Sequence, residues 1–160
     1  MRLHPFKYYD RIDQSITWWM ARNGIFALRI SIGLIFVWFG ALKFFPGVSP
    51  AEDLAGGSIE ILSFGLVQPA IGIPVLAAWE CLIGVGMFVR RYMRFTILLL
   101  YVQMAGTFSP VVIMPEIVFE TAPLALTMEG QYIVKNVVVI AAALVIGATV
   151  RGGDLKAEPH

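Results

Sequence analysis

Four ionisable residues, Arg29, Lys43, Glu80 and Lys135, stand inside long apolar stretches of this chain. A charge at membrane depth costs about 2.5–3.5 kcal/mol on insertion scales, so each needs a partner or a purpose. The chemistry open to such a set is ion pairing, proton relay, or capture of an anionic or carbonyl-bearing ligand. Arg29 and Glu80 are expected to pair. Arg29 sits about 8–10 Å inside on a rising helix and Glu80 about 13 Å above the same surface on a descending one, a difference that a guanidinium can span. The pair reads either as a staple that fixes helix register or as a proton-relay or ligand site.

A second polar set gathers towards the other surface, where Lys43 and Lys135 approach the outer ends of the first and fourth apolar stretches. Gln103, Thr107, Ser109 and Pro110 of the third stretch and Asn136 of the fourth lie at similar depth. Pro110 has no N–H to give, which frees the carbonyl of Gly106 as an acceptor. Convergence of Lys43 and Lys135 on a cavity lined by Thr107 and Asn136 is expected, suited to an anion. The bland alternatives are a hydrogen-bond network that glues the helices, snorkelling of each lysine to the interface, or neutralisation by Glu116, Glu120 or Glu129.

Catalytic chemistry has little else to work with. His4 and His160 are at the chain ends, so the membrane interior holds no haem ligand or metal cluster. Cys81 is alone, without a disulfide or CxxC partner. No metal, no cofactor and no catalytic residue is expected; only Glu80 resembles an acid/base group.

The elements that must position these residues are helices. Apolar runs over residues 24–45, 70–89, 95–114 and 132–150 are each long enough to cross about 30 Å of hydrocarbon. They lack the alternation of barrel strands. A four-transmembrane-helix bundle follows, all-α and integral to the membrane, as a single domain over residues 1–160. The first run is too long for a cleaved signal, so the preceding tail is expected to be retained.

Basic residues set the orientation. Arg2, Lys7, Arg11 and Arg22 precede the first helix, Arg90, Arg91 and Arg94 fill the second turn, and Arg151 and Lys156 follow the fourth helix. The loops over residues 46–69 and 115–131 contain no Lys or Arg and carry Glu52, Asp53, Glu60, Glu116, Glu120 and Glu129. The positive-inside rule then puts both termini in the cytoplasm. Residues 7–23 mix aromatic and charged side chains, as in a short amphipathic helix lying in the cytoplasmic interface or docking a partner. The apolar string within residues 59–69 is expected to re-enter the membrane or lie on its outer surface.

Composition agrees. Of 160 residues, 58% are hydrophobic and 14% charged, with mean hydropathy +0.77, outside the range of soluble domains. A formal net charge of +1 gives nucleic acid no electrostatic footprint.

The stretch LRISIGLIFVWFGALKFF (28–45) resembles the first helix of DoxX-like membrane proteins, including their reactive-chlorine-resistance branch. Glu80 followed by Gly84 is similar to that family's second helix, TFSP (107–110) to its third, and EGQYIVKN (129–136) to the approach to its fourth. The resemblance covers residues 28–150 and marks Arg29, Gly40, Lys43, Glu80, Pro110, Lys135 and Asn136. It implies a bacterial inner-membrane bundle associated with redox enzymes. The function expected on that basis is an accessory or anchoring subunit of a larger, redox-linked membrane complex, with lipids and protein partners around it. The alternative is a stand-alone binding or transport protein for a quinone, lipid or small anion.

Overall fold

The computed structural model describes residues 5–153 and 155, with side chains from residue 9 onward. Arg2, His4, Lys156 and His160 lie outside the described residues, as does the side chain of Lys7. Four helical stretches, Tyr9–Leu42, Pro69–Val89, Met93–Ile113 and Met128–Ala148, are long and apolar enough to cross a membrane. Among the described residues the chain is an all-α bundle of membrane type, apart from one small β-ribbon.

Helix α1, Pro5–Leu42, runs unbroken for 38 residues, about 57 Å at 1.5 Å per residue. That is nearly twice the roughly 30 Å of a hydrocarbon core. The segment over residues 7–23 is therefore not a separate helix. Proline starts α1, and no Pro or Gly interrupts the sequence before Gly24, so nothing forces a break. Tyr9, Ile12, Ile16, Trp18 and Trp19 on this extension are all exposed.

The first acidic loop is more ordered than its Pro and Gly content suggests. Helix α2, Glu52–Leu62, begins with Glu52 and Asp53 at its positive end. It lies against helix α3, Pro69–Val89, with Gly56 facing Pro69 and Ile59 facing Gly72. A tight turn after α2 puts Phe64 and Gly65 at positive φ, 54° and 78°, and leaves Phe64 and Leu66 exposed. The apolar string is thus partly helix and partly exposed turn.

Helix α4, Met93–Phe108, stops at Ser109 because Pro110 cannot donate to the next turn; α5, Pro110–Ile113, completes that span. A one-turn helix α6, Pro115–Val118, leads into an antiparallel ribbon of β1, Phe119–Thr121, and β2, Ala125–Leu126, with Phe119 opposite Leu126. Thr127 then caps helix α7, Met128–Lys135: its hydroxyl accepts from Gly130 N at 3.0 Å and donates to Ile117 O at 2.6 Å. Helix α8, Val137–Ala148, continues the fourth span beyond Asn136.

The most extensive helix packing is between α1 and α3. A Cβ on Gly84 would sit 2.7 Å from Gly33 O and 2.7 Å from Val37 N, and one on Gly40 would sit 2.9 Å from Glu80 Cβ. Only hydrogen at these positions lets the two backbones approach, as in small-residue seams between membrane helices. This antiparallel register brings residue 40 beside residues 77–81 and residue 33 beside residues 84–88. Beside the seam, Ile32, Phe36, Ile83, Met87, Leu100 and Ile146 form the buried core with α4 and α8.

Candidate functional site: a buried lysine, glutamate and glutamine

The seam decides which charges meet. Glu80 is buried, and its partner is Lys43, with Nζ donating to Oε2 at 2.7 Å and both side chains almost fully enclosed. The ammonium also donates to Phe39 O at 3.3 Å. From α4, Gln103 Nε2 donates to the other carboxylate oxygen, Oε1, at 3.1 Å. Thr107 Oγ1 donates to Gln103 O at 3.0 Å, one turn along the same helix. Three helices thus converge on one carboxylate, each oxygen of which has a donor.

The expected pair of Arg29 with Glu80 is not formed. Arg29 Nη1 instead donates to Met87 O at 2.6 Å and Phe88 O at 3.2 Å. These are the last carbonyls of α3, which have no helical N–H to accept from and carry the negative end of the helix dipole. The physical reason is the direction of side chains. On a helix they lean towards its N-terminus, so Arg29 reaches away from Glu80 while Lys43 reaches back one turn towards it. The register adds to this, since Phe88 lies eight residues beyond Glu80, about 12 Å along α3.

The second polar set also divides. Lys43 and Gln103 join Glu80, and Pro110 is buried at the break between α4 and α5. Lys135 does not converge with Lys43; it is exposed and its ammonium lies 5.4 Å from the centroid of the Tyr132 ring. Asn136 turns back on its own helix, with Nδ2 donating to Tyr132 O at 2.9 Å. The carbonyl that Pro110 frees is taken locally, since Ser109 Oγ donates to Gly106 O at 2.7 Å. The positive charge of the buried set comes from Lys43 alone, and Glu80 balances it.

Two further contacts tie the cluster into the bundle. Trp79 Nε1 donates to Leu99 O at 3.3 Å, fixing α3 on α4 beside Gln103. Cys81 Sγ lies 3.9 Å from Val37 O, across the seam. Among the described residues no buried side-chain nitrogen or oxygen lacks a partner, and no three His, Cys, Asp or Glu side chains gather as metal ligands. Chemically the cluster is a closed, charge-neutral clamp on three helices. The signal that sequence reasoning missed was the lean of Lys43, which the helix direction already contained. Compared with protein-family models, curated proteins and solved structures, the chain matches none.

Proposed function

We propose that this chain is a DoxX-like multi-pass protein of the bacterial inner membrane, with both termini cytoplasmic, serving as an accessory or anchoring subunit of a larger, redox-linked complex. The observation that carries the reading is closure of the buried cluster. Lys43, Glu80 and Gln103 satisfy one another, which suits holding helices in register better than engaging a substrate. Between 22% and 39% of each span's most apolar window is buried within the chain, so most of that surface is left for lipid or a neighbouring subunit. The redox link rests on the resemblance of residues 28–45, 107–110 and 129–136, and the orientation on the placement of arginine.

Purification of the tagged chain from its native membrane in mild detergent tests the role: an accessory subunit brings stoichiometric protein partners. A partner-free chain that turns over a substrate overturns it. Orientation is tested separately, by labelling single cysteines placed at the exposed positions Glu60 and Glu120 in a Cys81→Ser background. Labelling of both from the cytoplasmic side reverses the assignment.

A further inference from the structure

The basic residues that set the orientation also build a cavity. A space of about 300 Å³ opens between the ends of the four spans, lined by Arg22, Arg29 and Arg90 and by Phe26, Met93 and Ile146. A second space of about 510 Å³ adjoins it at Val150 and is lined by Arg94 and Arg151. No Asp or Glu among the described residues lines either one. The only ion pair among the described residues is that of Lys43 with Glu80, so among the described residues the five guanidinium groups that line these spaces have no carboxylate in an ion pair.

Like charges held this close to hydrocarbon must be offset. Two of the three arginines of the smaller cavity are held in place by the protein. Arg22 stacks on Trp18 at 5.1 Å, and Arg29 stacks on Phe26 at 5.5 Å while one of its nitrogens is fixed to the end of α3. A guanidinium carries five N–H donors, so most of those on Arg29 are left for an occupant. Beside the charges the wall is apolar, with buried Met93 and Ile146 and with Phe26, which is exposed. A hydrated free ion has no use for such a wall; an amphiphile does.

The geometry points to a binding site for an anionic phospholipid, its phosphate held by Arg22, Arg29 and Arg90 and its glycerol and chain lying along Phe26, Met93 and Ile146. A phosphodiester presents oxygens that a guanidinium fork matches, and basic pockets between membrane helices bind such headgroups. The inference needs the chain to sit in a membrane but not the accessory role, so loss of one leaves the other standing.

The test uses the full chain in detergent, with phosphatidylglycerol, phosphatidylcholine and inorganic phosphate as probes, read by native mass spectrometry and by lipid competition. Phosphatidylglycerol is expected to stay bound one to one through washing that removes phosphatidylcholine. The double variant Arg22→Gln, Arg90→Gln should weaken that binding at least about tenfold, as for loss of charge-assisted hydrogen bonds. A second variant, Arg11→Gln with Arg91→Gln, loses the same charge outside the cavity and should bind as the unaltered chain does. Equal weakening by both variants, or no weakening by the first when its elution and melting are unchanged, overturns the site. Should Arg22→Gln, Arg90→Gln not fold, Arg22→Gln alone against Arg11→Gln alone makes the same comparison. Displacement of phosphatidylglycerol by equimolar inorganic phosphate overturns the lipid as occupant.

Discussion

Arg29 lies on α1 and Lys43 immediately past its end, 14 positions on, and both are cations within the same apolar stretch, yet they meet opposite fates. Lys43 is enclosed with a carboxylate, whereas Arg29 is half-buried, bound to main-chain carbonyls, and open to a cavity shared with other arginines. The difference follows from where each side chain's lean delivers its charge. The lysine is carried towards the middle of the bundle, where the cost of an unpaired charge is greatest and Glu80 waits. The arginine is carried towards the end of α3, where exposed carbonyls and the interface supply weaker but sufficient partners. The lysine's site is closed on itself, and the arginine's keeps an excess of positive charge.

The sharpest way to break this comparison is to remove the buried carboxylate. Glu80→Gln leaves Lys43 enclosed without its counter-ion and is expected to destabilise the bundle by about 3–5 kcal/mol, measured by unfolding in mixed detergent. Joining it with Lys43→Met should recover much of that loss, because a pair removed together leaves no orphan charge. A Glu80→Gln chain that melts with the parent removes the clamp from the account.

A steric test comes next. Gly84→Val puts side-chain atoms where Gly33 O and Val37 stand, so α1 and α3 must separate, at about 1–3 kcal/mol. The same change should loosen Lys43 from Glu80 by moving the seam, which faster labelling of Cys81 by a thiol reagent would reveal. Unaltered melting and labelling would mean that the seam is slack.

Arg29→Gln is expected to cost less, about 1–2 kcal/mol, the worth of charge-assisted bonds to carbonyls at a partly exposed helix end. Its effect should add to that of Glu80→Gln, since the two groups share no partner. Strong non-additivity between them would restore the pairing that matched depth suggests. Smallest of all is Lys135→Gln, where an exposed ammonium over Tyr132 is lost; melting should move by no more than about 0.5 kcal/mol. A larger loss would return Lys135 to the buried set.

The sequence by itself determined the membrane class, the four spans and the asymmetry of arginine, because these depend on composition summed over some twenty residues and on loop charge, which no packing detail reverses. It also identified most of the residues that matter: Lys43, Glu80 and Gln103 were each legible as polar groups at a forbidden depth. Their partners were not. Pairing depends on helix register, and the register was decided where Gly33 meets Gly84 and Phe88, and Gly40 meets residues 77–81, across α1 and α3, contacts between residues 37 to 55 positions apart. Depth estimated from span ends cannot resolve two helical turns when α1 extends far beyond the membrane at one end. The helix α2 and the ribbon after α6 were hidden for a related reason, since segments of eleven residues or fewer carry little propensity of their own and are held by what they pack against. Only the tertiary structure could turn a set of buried charges into one closed clamp and one open arginine cavity, because a charge chooses its partner by distance in space, which the order of residues does not contain.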